Sequence, residues 1–485
     1  MERKISHLEP NAVWSYFEDI CQVPRPSKKK ELIIKFLEDF ASQNQLSFKK
    51  DDAGNVLISV PATSGYESAP VVVLQSHMDM VGEKNNHVEH NFEVDAIKPY
   101  IDGEWVKAQG TTLGADCGIG MAAQMAVLTS KSLDHGPIEC LFTVDEETGL
   151  SGAFALQPGF FEGKILLNLD SEDEGELFIG CAGGVDTLAQ FQYKKEEVPA
   201  GYFPMKLTVE GLTGGHSGDD IHKGRGNAIK ILTRFLWEAN RKYGLRIAEF
   251  TGGNLRNAIA REAEALILVR HSYKENLVAD FNIFKHQISE EFKLTEPGLK
   301  LDHGSTDMPE WVIDENTVDK LLHALFVCPH GVYAMSFRMP GMVETSTNLA
   351  SVKFQDESQI LVTTSQRSDR ESSKHEIASI VEAVFEKAGA DVHHSDGYPG
   401  WSPNPDSPIV KLTEQVYTEL FKQKPVVRSI HAGLECGLFL EKYPGLDMVS
   451  FGPTILGAHS PDERIKIETV QKFWKHLVEV LKRIR

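Results

Sequence analysis

The sequence has no apolar run that approaches the roughly 20 residues needed to span a bilayer. Its first stretch, MERKISHLEPNAVW, lacks the apolar core and the small-residue cleavage site of a secretory signal peptide. The six cysteines are scattered over 485 residues without paired spacing, as expected in a reducing compartment. Internal repeats and low-complexity tracts are absent as well. Together these absences predict a cytoplasmic globular protein.

An excess of positive charge is also missing. The chain has 50 basic and 70 acidic residues, which gives a formal net charge of −20. A field of this sign disfavours nucleic acids and anionic membranes as partners. It is compatible with a site that concentrates cations, although most proteins with such a charge need it only for solubility.

The length of the chain predicts two domains, because a single hydrophobic core stops growing well below 485 residues. Helices alternate with short apolar strands up to about Asp186, and this pattern returns after a Gly/Pro-rich passage, DGYPGWSPNPDSP, which is typical of a linker. We therefore predict an α/β catalytic domain, with a mostly parallel sheet covered by helices, from residues 1–186 and 398–485. Residues 187–397 are predicted to form an inserted α+β domain.

Four predicted strands of the first domain lead to side chains that can bind metals. Val71–Leu74 is followed by SHMDM, Ile138–Val144 by DEETG, Ile165–Leu169 by Asp170, and Asp447–Phe451 leads to His459. Open α/β sheets carry their chemistry at the carboxyl ends of the strands. One such ending would be an ordinary polar turn, but four predict a metal site at one edge of the sheet. Asp116, in GTTLGADCGIG, is a fifth candidate ligand.

Two histidines with several carboxylates and no thiolate suit zinc, cobalt or manganese. Charge counting favours two ions, because Asp116, Glu147 and Asp170 with one bridging hydroxide balance four positive charges. Paired ions about 3.5–4 Å apart are the arrangement of aminopeptidase-type hydrolysis. The residues therefore predict a two-metal hydrolase.

The acidic neighbours of these ligands can have other roles. In the pair Glu146-Glu147, one glutamate can bind a metal while the other stays free beside the metal-bound water as general base. Asp79 is close enough to His77 in sequence to fix the tautomer of that imidazole. Each residue alone has an ordinary explanation, such as a charge pair at a helix N-terminus or an N-cap. Only the complete set predicts chemistry.

The motifs resemble those of a known family. SHMDM, GTTLGADCGIG, TVDEETG, LLNLDSEDEGE and GPTILGAHSPDE are similar to the motifs of the co-catalytic zinc peptidase family of aminoacylases, glutamate carboxypeptidases and dipeptidases. The likeness runs from the first predicted helix to the last. It implies a dipeptidase that hydrolyses Xaa-His dipeptides such as β-alanyl-histidine, by means of two metals, a bridging hydroxide and a glutamate base.

The resemblance also implies a role for each matching position. One metal would be held by His77 and Asp170, the other by Glu147 and His459, and both by Asp116. Glu146 would be the general base and Asp79 would orient His77. The peptide bond after Asp116 would be cis, and Cys117 stands where asparagine is expected in close relatives.

The inserted domain resembles the lid of that family. His216, in GGHSG, would stabilise the tetrahedral oxyanion, and Arg367, in SQRSD, would clamp a substrate carboxylate. Asn257 would contact the substrate backbone. Lids of this family often mediate dimerisation, so a homodimer through this domain is also expected. Glu435, in HAGLECG, fits a structural role better than a catalytic one.

Two alternatives remain open at this point. A tripeptidase or an N-acyl amino acid deacylase would use the same site on other substrates. A non-catalytic binding protein on the same fold is the other alternative, but it would be expected to have lost Glu146 or His459, and both are present.

Overall fold

The computed structural model describes residues 3–355 and 358–485. The chain divides into two compact units. The first consists of Met1–Gly180, Pro403–Ser429 and Leu434–Arg485, and the second of Cys181–Ser402 and Ile430–Gly433. The predicted boundaries near 186 and 397 lie a few residues from two of these changes. The sequence analysis did not predict that residues 430–433 belong to the second unit.

An eight-stranded sheet forms the centre of the first unit. In spatial order its strands are Ser47–Lys50, Val56–Val60, Ile138–Thr143, Val72–His77, Ile165–Asn168, Asp447–Ser450, Glu176–Cys181 and Val426–Ile430. The four strands at positions three to six run parallel to one another. The first two strands pair antiparallel, as does the seventh with the sixth. The sheet is therefore parallel at its centre and antiparallel towards its edges.

The four parallel strands are those predicted to lead to metal ligands. Val72–His77 is buried along its whole length and Ile138–Thr143 over nearly all of it, as expected for strands covered on both faces. Because parallel strands end at the same edge of a sheet, the residues that follow them are brought together there.

Helices and a second, four-stranded sheet complete the first unit. The helices are Asn11–Cys21, Glu31–Gln43, Ala115–Thr129, Ser151–Ala155, Pro408–Phe421, Cys436–Lys442 and Ile467–Arg483, and the strands are Ile455–Leu456, Arg464–Lys466, Trp105–Ala108 and Pro99–Asp102. The Gly/Ala-rich helix Ala115–Thr129 packs against the strand Val72–His77. A Cβ on Gly120 would lie 2.9 Å from the main-chain oxygen of Leu169, so glycine permits this close approach.

The start of the second helix differs from what its sequence predicts. Ser27 precedes the apolar face of this helix and is of a residue type that favours N-cap positions, but the helix begins at Glu31 without a side-chain cap. The hydroxyl of Ser27 donates to the carboxylate of Asp79 at 2.7 Å. A tertiary contact has therefore taken the place of the local capping bond.

The second unit is built on a nine-stranded sheet. The strands are Lys300–Ser305, Tyr202–Glu210, Ala263–Arg270, Arg246–Gly252, Val343–Gln355, Gln359–Ser368, Gly183–Gln192 and Asp391–His394 in spatial order, with Gly331–Met335 paired to Val343–Gln355. Lys195–Glu196 and Val312–Ile313 form a separate pair, and the helices are Ala228–Tyr243, Lys274–Glu291, Glu315–Val327 and Glu371–Lys387, with a 3-10 turn at His271–Tyr273. Among the described residues, no helix is both long and apolar enough to cross a membrane.

The helix Ala228–Tyr243 shows how this unit forms its core. Asn227 caps its start by accepting from the N–H of Lys230, and Gly244, with a φ of 61°, ends it. The buried face includes Leu232 and Phe235, which belong to the hydrophobic core of this unit.

Residues 396–402 of the passage predicted as a linker belong to the second unit, and residues 403–408 belong to the first. The N–H of Tyr398 donates to the oxygen of Gly184 at 2.8 Å, and the N–H of Gly184 donates to the oxygen of Tyr398 at 3.0 Å. Trp401 and Cys181 exchange a similar pair of bonds at 2.9 Å. The linker prediction is wrong for Tyr398 and Trp401, because their backbone groups pair with Gly184 and with Cys181.

Candidate metal centre and substrate-binding residues

The five predicted metal ligands converge in the first unit. Asp116 lies between two imidazoles, with Oδ1 3.1 Å from Nε2 of His77 and Oδ2 3.2 Å from Nε2 of His459. Oδ1 of Asp170 lies 3.2 Å from the same nitrogen of His77. Oε2 of Glu147 lies 2.9 Å from Nε2 of His459. The ligands therefore form two groups that share Asp116.

Local backbone geometry places these side chains. His77 is the last residue of its strand, and Asp170 lies two residues after the end of a neighbouring parallel strand. Asp116 lies at a break in the helix Ala115–Thr129, where its φ and ψ are not helical, and the peptide bond that follows it is cis. His459 has a φ of 62°, a conformation that is uncommon for a residue with a side chain and is concentrated at functional sites.

The site carries negative charge that cations would balance. Burial alone would lower the pKa of His77, but the charge of Asp170 and hydrogen bonds to neighbouring carboxylates raise it well above its usual value. Hydrogen bonds with Asp116 and Glu147 raise the pKa of His459 to about 11. Oε1 of Glu147 is buried without a hydrogen-bond donor among the described residues, and the imidazole of His77 is the group that faces the buried Oδ1 of Asp170. These donor atoms fit two divalent cations, which would replace the imidazole protons.

Asp79 holds both His77 and the glutamate pair. Its carboxylate accepts from the N–H of Glu146 at 3.0 Å and of Glu147 at 3.3 Å. Nδ1 of His77 lies 3.1 Å from the main-chain oxygen of Asp79 and 3.5 Å from its carboxylate. When Nδ1 donates to that oxygen, Nε2 is left facing the candidate metal site. Asp79 therefore lies where it could orient His77, a role that stays a prediction, and its carboxylate holds the main-chain N–H groups of the two glutamates.

Glu146 lies beside the ligands without a donor of its own. Burial raises the pKa of Glu146 well above its usual value. The charge of His77 lowers this pKa, and the charges of Asp170 and Glu147 raise it further. Within the part of the chain that the structure describes, the carboxylate of Glu146 has no hydrogen-bond partner. A carboxyl group with a raised pKa is suited to accept and return a proton near neutral pH.

Three sets of side chains each have ligand atoms close enough to one another to hold a metal ion. They are His77, Cys117 and Asp170; His77, Glu146 and Glu147; and Asp116, Glu147 and His459. The thiol of Cys117 donates to the main-chain oxygen of Leu169 at 3.2 Å. Burial, with the charge of Asp170, raises the pKa of Cys117 well above its usual value, so the residue is a thiol rather than a thiolate ligand.

The three predicted substrate-binding residues lie together in the second unit. The main-chain oxygen of Asn257 accepts from the N–H of Ser217, the neighbour of His216, at 2.8 Å. Arg367, on the strand Gln359–Ser368, has Nη2 3.5 Å from Nε2 of His216. The side chain of Asn257 is exposed, whereas Arg367 is only 7% exposed.

His216 and Arg367 present hydrogen-bond donors that lack an acceptor. Nδ1 of His216 accepts from the N–H groups of Gly218 and Asp219 at 3.3 and 3.2 Å, which places the ring proton on Nε2. Burial and the charge of Arg367 lower the pKa of His216, so the ring is neutral. No carboxylate among the described residues pairs with Arg367, whose guanidinium donates to the hydroxyl groups of Ser217 and Tyr398. Because an unpaired buried guanidinium is costly, the pair suits an anionic ligand.

Comparison with known proteins identifies the family. The model of peptidase family M20/M25/M40 matches residues 73–483. The chain belongs to this peptidase family. It is 44% identical over 481 residues to the cytosol non-specific dipeptidase of Escherichia coli (strain K12). This alignment covers 99% of each protein. The predicted fold class is confirmed.

Solved structures agree with this assignment. The crystal structure of aminoacylhistidine dipeptidase from Vibrio alginolyticus superposes with a TM-score of 0.91, at 45% identity over 99% of this chain and 98% of that one. A tripeptidase from Staphylococcus aureus has a TM-score of 0.58 at 16% identity, over 98% of this chain and 99% of that one. The second likeness concerns the fold alone.

Two carboxylates of this M20/M25/M40 peptidase have contacts that the sequence analysis missed. Glu463 is 2% exposed and accepts from the N–H groups of residues 113, 114, 115 and 116, at 2.7, 2.9, 2.7 and 3.3 Å. It thereby fixes the loop that presents Asp116. Glu435 is fully buried and accepts from Gln75 at 2.6 Å and Thr143 at 2.7 Å. Glu463 follows His459 within the motif HSPDE, which was the available signal.

Glu463→Gln should destabilise the first unit by about 2 kcal/mol, because an amide has one acceptor oxygen and leaves buried N–H groups without partners. Urea denaturation of the metal-free protein would measure this change. Glu468→Gln is the matched control, since Glu468 is exposed and has one ion-pair contact at 3.9 Å. Equal stability of the two variants would contradict the assigned role of Glu463.

Proposed function

We propose that this chain is a metal-dependent dipeptidase that hydrolyses Xaa-His dipeptides such as β-alanyl-histidine. The observation that carries the proposal is Asp116, whose two oxygens face His77 and His459 at 3.1 and 3.2 Å. The predicted enzyme class, a metal-dependent dipeptidase, is confirmed by near-full-length identities of 44% and 45% to two dipeptidases. The name of the Escherichia coli relative supports a wider range of dipeptides than Xaa-His alone.

The proposed cofactor is a pair of divalent ions, with zinc favoured over cobalt and manganese. His77 and Asp170 would hold one ion, Glu147 and His459 the other, and Asp116 both. Such ions polarise a carbonyl group and make water reactive near neutral pH. Oε1 of Glu147, which is buried and has no donor among the described residues, supports this assignment.

The residues of the chain supply proton transfer and positioning. We assign to Glu146 the proton transfer from the attacking water to the leaving amine, because this half-buried residue lies beside the ligands and its carboxylate has a raised pKa. Asp79 keeps Glu146 and Glu147 in place through their main-chain N–H groups. This arrangement fixes the base before the substrate arrives.

The second unit would bind the substrate. Arg367 is proposed to hold the C-terminal carboxylate, since its buried guanidinium has no carboxylate partner among the described residues. The Nε2–H of neutral His216 is proposed to stabilise the oxyanion that forms during hydrolysis. Asn257 would contact the backbone of the peptide. We also propose a cytosolic location for the protein. We further propose a homodimer through this unit, and light scattering would test whether the protein is dimeric.

A panel of substrates tests the proposed function. We expect β-alanyl-histidine and other dipeptides to be cleaved with kcat/KM at least roughly 100-fold above that of a dipeptide amide, because the amide lacks the charged carboxylate that Arg367 is proposed to hold. A tripeptide and an N-acyl amino acid complete the panel. Steady-state kinetics of the metal-loaded enzyme would measure the ratio. Preference for the tripeptide or the N-acyl amino acid would replace this function with that of a tripeptidase or a deacylase.

A further inference from the structure

Tyr398 extends the donor group formed by Arg367 and His216. Nη1 of Arg367 donates to the phenol oxygen of Tyr398 at 2.8 Å. A phenol oxygen that accepts this bond still has its own hydrogen to donate. Among residues 3–355 and 358–485, none accepts that hydrogen. Three donors therefore lack an acceptor here: the phenol O–H, Nη2 of Arg367 and Nε2 of His216.

Two glycines make room for the ring of Tyr398. A Cβ on Gly184 would lie 2.7 Å from both Cζ and the phenol oxygen, and a Cβ on Gly433 would lie 2.8 Å from Cε2. Neither glycine has a positive φ, so their backbone conformations do not require glycine. The missing side chains serve to admit the ring, which is packed between two segments distant in sequence.

The backbone of Tyr398 is held as firmly as its ring. It exchanges two main-chain hydrogen bonds with Gly184. The ammonium of Lys374, which is 4% exposed, donates to the main-chain oxygen of Tyr398 at 2.8 Å. The phenol group is therefore positioned before any ligand binds, which reduces the entropic cost of using it in binding.

The electrostatics of the cluster favour a negatively charged ligand. Burial, together with the charge of Arg367, lowers the pKa of His431 to about 3, so this neighbouring ring is neutral. Nε2 of His431 lies 2.8 Å from the hydroxyl of Ser346. Arg367 is thus the fixed positive charge of the cluster, and it has a hydroxyl rather than a carboxylate as its closest partner.

We propose that Tyr398 is a substrate-binding residue whose O–H donates to the same C-terminal carboxylate that Arg367 holds. This inference rests on the proposed function of Arg367. A carboxylate has two oxygens with about four acceptor positions, so it can accept from the guanidinium and from the phenol together. The contact with the phenol makes the site selective for a free peptide carboxylate over an amide or an ester.

Tyr398→Phe tests the inference, because it removes the O–H and keeps the ring between its two glycines. We compare kcat/KM for β-alanyl-histidine with that for its C-terminal amide. The preference for the free acid should fall roughly tenfold, as expected for one hydrogen bond to a charged group, and mainly through KM. Tyr333→Phe, at a residue 49% exposed on the strand Gly331–Met335, should leave the preference unchanged.

The outcomes separate binding from other roles of Tyr398. An unchanged preference, or an equal loss on acid and amide, would overturn the inference. In an Arg367→Lys background, Tyr398→Phe should lower the preference further, whereas no further loss would mean that the phenol acts only by holding Arg367. Calorimetry with histidine and histidinamide repeats the comparison without turnover. If the enzyme cleaves no dipeptide, the proposed function is wrong. The calorimetric comparison of histidine with histidinamide would still test the role of Tyr398.

Discussion

Glu146→Gln should lower kcat for dipeptide hydrolysis by roughly 10³-fold, because an amide cannot accept the proton of the attacking water. KM should change little, since Glu146 has no contact in the structure that would bind a dipeptide carboxylate. The main-chain N–H of Glu146 would still donate to Asp79, so the loop and the ligand Glu147 should keep their positions. Steady-state kinetics, together with metal analysis of the same preparation, would measure both quantities.

The control for this variant is Glu162→Gln, at an exposed carboxylate on the same unit. It should have the activity and metal content of the unaltered enzyme. Glu146→Gln with two metals bound and more than a tenth of the original kcat would remove Glu146 from the role of general base. Loss of metal together with activity would instead assign Glu146 to the ligand set.

Removal of the metals should abolish turnover of β-alanyl-histidine, and two equivalents of zinc, cobalt or manganese per chain should restore it. Without cations, the carboxylates around His77 and His459 are left with only imidazole protons for compensation, and no group polarises the substrate carbonyl. Dialysis against a chelator, followed by calorimetric titration and activity measurements, would follow both binding and recovery. Recovery that is complete at one equivalent would contradict the paired site.

Asp116→Asn tests the shared ligand directly. An amide offers one acceptor oxygen where the structure has two facing different imidazoles. The variant should therefore bind fewer than two ions per chain at metal concentrations that saturate the unaltered protein. Asp173→Asn, at an exposed carboxylate close to Asp170 in sequence, is the matched control and should retain full occupancy.

The strand-end ligands could be predicted because their signals are local. Apolar strands such as Val72–His77 and Ile165–Asn168 can be recognised from their composition, and the residue after each strand must lie at the edge of the sheet. The sequence therefore sufficed for the fold class, for the elements that carry the ligands, and for the family resemblance. The division of roles among His77, Asp116 and the glutamates remains a prediction that the geometry supports.

Contacts between segments that are distant in sequence could not be predicted from the sequence alone. Glu463 holds the loop of Asp116 across some 350 positions, and the phenol of Tyr398 meets Arg367 only because its segment pairs with Gly184. Local propensity suggested an N-cap for Ser27 and a linker around Tyr398, and tertiary hydrogen bonds overrode both suggestions. Secondary structure and strand order follow from short-range patterns, whereas the partners of a buried polar group depend on which segments the packed core brings together.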